Sequence, residues 1–281
     1  TFSDDDLRAY VIRTWDMFRR LSMSQAPFFK EDADISSFNQ FVTVQLYSNL
    51  ISTSEGIFAL LLEKCYWETE ILLRTVFEGT VKYLYMMSCD LKEDSDIVKE
   101  FYLYMPEMQK IDQHKKAKEA LEIFHLFTDR KHPFDGILLS DEEFDNLEKK
   151  YPRKNRREME QRWGFGSLLK ILIERDEKFK NLAGFYYAYF QSSHFMHFDG
   201  NAVRSRYEAM KTNVEEEDFT YDYAYALRIL CNVLTLGLIR VSEYTAKYKI
   251  EIEQYVEVMN AATELNYELD LVNHNLIKDR Y

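Results

Sequence analysis

Only 8 glycines and 4 prolines occur in the 281 residues, and no other feature of the chain restricts its fold so far. β-Sandwiches and barrels turn every few residues and consume Gly and Pro at those turns, whereas long helices need few of either. An all-β fold is therefore excluded. The chain reads as an all-α, multi-helix bundle with long central amphipathic helices, and a chain of this length can bury roughly 75% of its unfolded surface. The 20 Phe, 20 Tyr and 3 Trp supply that core, each ring able to bury on the order of 150 to 250 Å². Their number exceeds what one helical core ordinarily needs, which predicts self-association as a two-fold homodimer through an aromatic helix face.

The apolar periodicity divides the chain. Residues 4–24 open with acids suited to a helix N-terminus and then place Leu7, Val11, Trp15, Phe18 and Leu21 at helical spacing. The segment APFFKEDADISS breaks the pattern, which resumes from Phe38 through Leu50. A longer helix is expected from about Ser54 to Met87, apolar enough to be the spine of the fold. The composition then becomes charged, with a helix at about Asp94–Phe127, a break at KHPFDG, the acidic run SDEEFDNLEKK and the segment YPRKNRREMEQR. Apolar pattern returns at WGFGSLLKILIERD and NLAGFYYAYFQSSHFMHFDGN, and two helices of about Thr220–Tyr248 and Ile250–Ile277 finish the chain. Residues 1–90 and 162–281 are thus expected to form the core bundle and 91–161 a charged helical insert. The 54–87, 182–198 and 220–248 helices, which carry the densest periodicity, are placed at its centre. No repeat of 20 to 50 residues suggests a solenoid.

The formal net charge of −12 repels nucleic acid on average, so any RNA site must be a local basic patch. Cys65, Cys89 and Cys231 stand far apart in apolar contexts without ligand spacing and read as reduced core thiols. The acidic N-terminus lacks the features of a signal peptide. The most apolar run, Ile229–Ile239, is about half the ~20 residues of a membrane span and is interrupted or flanked by Arg228, Asn232 and Arg240. It reads as a buried core helix, and the protein as cytoplasmic with no membrane contact.

Three constellations could carry chemistry. Glu70, Arg74, Glu78 and Lys82 follow one another at i, i+4, which stacks alternating charges on one helix face. That row is either a solvated salt-bridge ladder or, since Trp67, Ile71, Val81 and Tyr85 project into the same sector, a buried or site-lining Arg74–Glu78 pair. Tyr189, Ser193 and His197 share a second face, with Tyr186, His194 and Asp199 nearby. A histidine on an aromatic helix is as readily a satisfied core residue as a catalyst. His194 and His197 at i, i+3 could ligate a metal with Asp199, but no HExxH motif or second ligand cluster supports one, and neither metal nor cofactor is expected. Arg204 and Arg206 follow the FDGN turn and could return toward His197 to hold a phosphate bidentately. The third constellation is the basic cluster Lys149, Lys150, Arg153, Lys154, Arg156, Arg157 and Arg162. It is either a solvated surface paired with the preceding SDEEFDNLE or a docking surface for nucleic acid or an acidic protein partner. No Walker A, GxGxxG or GxSxG motif is present, which disfavours nucleotide hydrolases, dehydrogenases and α/β hydrolases. Arg74, Glu78, Ser193 and His197, polar groups on apolar helices, are predicted to converge and satisfy one another.

Two of these stretches, LLRTVFEGTVKYLYM and YAYFQSSHFMH, resemble the hallmark segments of a bacterial domain-of-unknown-function family, number 5677. There an R-S-x-x-E helix is followed much later by a Tyr-rich helix ending in S-x-x-x-H. The likeness covers residues 40–90 and 160–245 and leaves the charged middle unmatched. The family's helical character and its occurrence near phage-defence and toxin-like genes are similar to those of HEPN ribonucleases, helical bundles that dimerise and cut RNA without metal. The resemblance implies a metal-independent ribonuclease toxin with Arg74, Glu78, Ser193 and His197 as its catalytic group, or a non-catalytic sensor subunit of a defence complex. This chain departs from the HEPN signature, an Arg followed four to six residues later by a His, since none of its six histidines has an Arg at that spacing. An equivalent site must be assembled from separate helices.

Overall fold

In the computed structural model, residues 2–23, 38–88, 96–125, 134, 136–197, 199–215, 218–248 and 253–278 are described. The expected break at residues 26–37, most of KHPFDG, and Cys89 lie outside them. The described residues are predominantly helical and contain no strand. The chain divides into two compact units, residues 1–88 with 169–281 and residues 89–168.

The larger unit is built from α1 (Asp4–Met23), α2 (Phe38–Leu62), α3 (Thr69–Met87), the 3-10 segment Glu177–Leu182, α8 (Ala183–His197), α9 (Gly200–Glu215), α10 (Thr220–Tyr248) and α11 (Glu253–Lys278). Helix α1 starts where Ser3 and Asp6 cap each other, the Ser3 N–H donating to Asp6 at 2.9 Å and the Asp6 N–H to Ser3 Oγ at 3.3 Å. It buries Leu7, Val11, Thr14, Phe18 and Leu21, one stripe at 3.6-residue period. Helix α10 is the centre: Leu227, Ile229, Leu230, Val233, Leu234 and Val241 are fully buried against α1, α3 and α11. By length and composition Thr220–Lys247 could cross a membrane, but most of its apolar window is buried inside the protein. Close approach to its neighbours is set by Gly237, where a Cβ would stand 3.2 Å from the Phe18 ring of α1, and by Gly79 of α3, where it would meet Leu50 of α2 at 2.6 Å.

The expected 54–87 spine is two helices. Helix α2 begins at Phe38 and ends at Leu62, and α3 starts at Thr69. Lys64 has φ 60°, the left-handed region. The Lys64 N–H donates to the Leu61 carbonyl at 3.1 Å and the Cys65 N–H to the Leu60 carbonyl at 2.9 Å. This is the pair of bonds that closes a helix C-terminus around a left-handed residue, normally glycine. With lysine there, the sequence carries no stop signal, and apolar periodicity alone runs straight through it. Helix α8 corrects a second expectation: placed at the centre, it packs on α3 and the 3-10 segment and buries only Ser192. Its Tyr186, Tyr187 and Phe190 are more than half exposed. Helix α9 was unforeseen; the FDGN turn is its start, with Asp199 as the cap.

Cys65 and Cys231 carry free, partly buried thiols, and burial pushes the Cys231 thiol up to about 12.

The smaller unit holds a π turn (Glu100–Tyr104), α4 (Met105–His125), α5 (Asp141–Lys150) and α6 (Arg153–Arg162), and the boundary falls inside α7 (Phe165–Arg175). Helix α5 is set by a capping box of Ser140 and Glu143. Met108, Ile111 and Tyr151 form a compact core with Phe144, Leu147 and Met159 packed around it.

Candidate functional site

Helices α3 and α8 run antiparallel, with ring contacts holding the register at both ends: Phe77 and Phe185 have centroids 5.2 Å apart, Trp67 and Phe195 5.3 Å. Between them the consecutive serines of α8 reach consecutive turns of α3. Ser193 Oγ accepts from Arg74 Nε at 3.0 Å, while Ser192 Oγ donates to Glu70. The charged row on α3 is therefore no continuous ladder, because Glu70 turns inward and Arg74 toward α8.

Arg74 is held on every side. Its Nη2 donates to the Tyr189 hydroxyl at 2.6 Å, its Nη1 contacts Met196 Sδ at 3.6 Å, and its guanidinium lies 4.6 Å from the centroid of the Tyr189 ring. Glu78 stands 3.7 Å from Nη1, accepts from the Tyr189 hydroxyl at 3.2 Å and from Lys82 Nζ at 2.7 Å. Burial alone would raise the Glu78 carboxyl. The Lys82 bond and charge, with Tyr189 and Arg74, outweigh it and hold the carboxyl below its ordinary value. Burial and then the Glu78 charge push the Tyr189 phenol up. Arg74, Glu78 and Lys82 keep 21%, 31% and 20% of their side-chain surface exposed, so the cluster is neither sealed nor freely solvated.

Arg74, Glu78 and Ser193 are thus joined as the sequence predicts, with Tyr189 as the hinge between them. His197 is not tied in: it is exposed, and no hydrogen bond or ion pair connects it to the cluster among the described residues. It lies one turn beyond Ser193, a spacing that puts Cβ atoms about 5–6 Å apart. Ser193, which also donates to the Tyr189 carbonyl at 3.0 Å, orients Arg74 and not a histidine tautomer. The neighbouring His194 bonds Asp199 through Nδ1. Asp199 in turn accepts the Asn201 and Ala202 N–H groups at 3.0 and 3.1 Å. The His194 bond, with these helix N–H groups, holds its carboxyl below the usual range. No group of three or more His, Cys, Asp or Glu side chains suited to a metal occurs among the described residues.

The expectation that both arginines return toward His197 is corrected for Arg206, which is paired elsewhere. Helix α9 carries both, Arg206 pairing with Glu68 at 2.7 Å beside a cavity of about 250 Å³, while Arg204 is exposed. In the smaller unit the basic cluster is partly spent, and not on the preceding acidic run. Lys150 pairs with Glu107 at 2.7 Å, Arg162 with Glu100 at 2.6 Å, and Lys154 with Glu158 at 3.8 Å. Arg156 is buried and donates to the Tyr151 carbonyl at 2.7 Å. Lys149, Arg153 and Arg157 are exposed and make no ion pair among the described residues.

Sequence reasoning missed the group behind the cluster. Glu70, fully buried, accepts from Arg228 Nη2 of α10, whose guanidinium lies 4.7 Å from the Tyr225 ring centroid. The signal was available: Arg228 interrupts an apolar run, and a charge on a core helix calls for a partner. Comparison with protein families matches residues 40–217 to a family of unknown function, DUF5677. The match runs through the charged middle region, which the resemblance of the two short segments leaves out. Neither the curated proteins nor the solved structures yielded a match.

Proposed function

The chain belongs to the DUF5677 family, and we propose that it is a HEPN-like, metal-independent ribonuclease toxin of a phage-defence or stress system, built around Arg74. The observation that carries this reading is the way α8 holds Arg74. A guanidinium has five N–H donors, of which the contacts to Ser193, Tyr189 and Met196 occupy three, while Glu78 stands 3.7 Å away as an ion-pair partner. A cation that is half-buried, locked in orientation and left with a donor to spare is prepared to take a phosphodiester without reorganising. Lys82 adds a second positive charge beside the single carboxylate of Glu78.

In this mechanism Arg74 stabilises charge on the scissile phosphate, with Arg204 as an auxiliary cation. Glu78, Tyr189 and Ser193 are positioning residues that act through Arg74. His197, exposed and one turn along the same helix, moves the proton of the RNA 2′-hydroxyl or of the leaving oxygen. The exposed rings Tyr186, Tyr187 and Phe190 on α8 supply a face on which two subunits would pair and enclose the RNA.

The test is incubation with tRNA and total RNA in EDTA, with wild type beside His197→Ala and Arg74→Ala. Chelator-resistant cleavage abolished by both substitutions is expected; intact RNA with wild type, alone and with its natural partners, would overturn the reading. Three exposed cations without ion-pair partners among the described residues, Lys149, Arg153 and Arg157, favour a second reading, a non-catalytic subunit docking through the smaller unit. Reversing Arg153 and Arg157 to Glu would then abolish partner binding while leaving the fold intact, and an unchanged interaction would sink it.

A further inference from the structure

On the other side of the α3–α8 seam lies a cavity of about 660 Å³, within the usual range for small-ligand sites. Its aromatic wall is Trp67 and Tyr225, with ring centroids 4.5 Å apart, continued by Phe195. Arg228 and Asn232, one turn apart on α10, bring polar groups into it. Arg228 is neutralised by the fully buried Glu70 carboxylate, so the cavity offers no net charge to a free anion.

Asn232 is the informative residue. It sits inside the most apolar stretch of the chain, is half-buried, and its side chain makes no hydrogen bond among the described residues. This half-buried amide presents a donor and an acceptor side by side. That pair matches the adjacent donor and acceptor on the edge of a nucleobase, adenine foremost, while flat aromatic walls suit its faces. From the neutral aromatic cavity and the unpaired Asn232 amide we infer that this cavity binds a nucleobase, carried either by a free nucleoside or by an RNA strand.

The binding requires no cleavage, so it is tested separately from the ribonuclease reading, with the His197→Ala chain wherever RNA is used. Calorimetric titration and ligand-observed NMR would compare adenosine, guanosine, cytidine and uridine with a short oligoadenylate, and with indole as a plain aromatic. Saturable binding of a nucleoside or of the oligonucleotide, and not of indole, is expected. A free nucleoside that binds as well as the oligomer identifies the first source, and binding of the oligomer alone the second. Asn232→Leu, which keeps the volume and removes the amide, should weaken binding about tenfold or more. Gly184 borders the cavity, and a Cβ there meets nothing within 4 Å. Gly184→Leu should therefore set a side chain at the cavity's edge without strain and weaken binding, with the helical circular dichroism unchanged. No saturable binding by wild type, equal binding of indole, or undiminished binding by both variants overturns the inference.

Discussion

Arg240 is a fully buried cation with two unpartnered nitrogens, and replacing it with methionine should stabilise the protein. It is fully buried in the middle of the larger unit. Its Nη1 donates to Thr80 Oγ1 at 2.6 Å and its guanidinium lies 5.8 Å from the Tyr47 ring centroid. Its Nε and Nη2 find no hydrogen-bond partner, and no carboxylate forms an ion pair with it among the described residues. Burial lowers its pKa from the usual arginine value, yet arginine remains charged at any ordinary pH. The two unpartnered donor atoms cost about 1–3 kcal/mol each, and a charge-assisted bond returns about 1.5–3 kcal/mol. The ring adds up to about 2 kcal/mol, so the local polar terms roughly cancel. What remains is the desolvation of the charge itself, several kcal/mol with nothing to offset it.

Arg240→Met fills the same unbranched space with a thioether, and the Thr80 hydroxyl can turn to the Val76 carbonyl one helical turn back. The expected gain is about 1–4 kcal/mol, the range found when buried charged groups give way to apolar ones. Each kcal/mol should raise the midpoint by about 2–4 °C in a chain of this size class. Thermal and urea unfolding followed by circular dichroism would measure it, with Arg240→Lys as the control that keeps the charge and loses the planar fork, and is expected below wild type. If Arg240→Met lowers stability by more than about 1 kcal/mol, then the guanidinium is worth more to the core than its desolvation costs, and the reasoning fails.

Two further outcomes follow from the backbone and the charges. Lys64 holds the left-handed position that ends α2, at about 1–2 kcal/mol for a residue with a Cβ. Lys64→Gly relieves that cost and gives up only the exposed ion pair with Asp4 and some unfolded-state entropy. In urea unfolding, Gly there should therefore match or exceed wild type and Lys64→Val should lie below both; Val equal to Gly would show that the cap is not strained. Glu78 has a folded-state pKa below its ordinary 4.5, so it adds stability that is fully present above that value and lost as the pH falls through the lowered one. Glu78→Gln should lower the midpoint at neutral pH yet flatten its decline as the pH falls below the ordinary 4.5; parallel curves for the two proteins would refute the assignment.

The fold class was legible because Gly and Pro scarcity and 3.6-residue periodicity are local properties, and α10 matched its expected limits for the same reason. What escaped depended on features that periodicity does not carry. The α2–α3 break rests on a lysine in a glycine's conformation, and apolar spacing cannot register a change of φ at one residue. Helix α8 looked central because its apolar residues are dense. Density does not reveal how many neighbours surround a helix, and its rings remain exposed where α3, the 3-10 segment and α9 leave it uncovered.

The charged row on α3 marks where sequence reasoning reached its limit at the site. Spacing at i, i+4 makes Glu70, Arg74, Glu78 and Lys82 potential partners of one another, but which pairs form is decided by whatever faces each turn. Arg228 is available to Glu70 from α10, 158 positions away, and it takes the buried carboxylate out of the row. Once Glu70 is occupied, Arg74 has no carboxylate on its N-terminal side. It turns to α8, where Ser193 and the Tyr189 hydroxyl lie 3.0 and 2.6 Å from its nitrogens. The orientation of Arg74 thus depends on a residue that never touches it. Removing the Arg228 charge would free the Glu70 carboxylate to compete for Arg74, which places the nucleobase cavity and the Arg74 cluster under one electrostatic constraint.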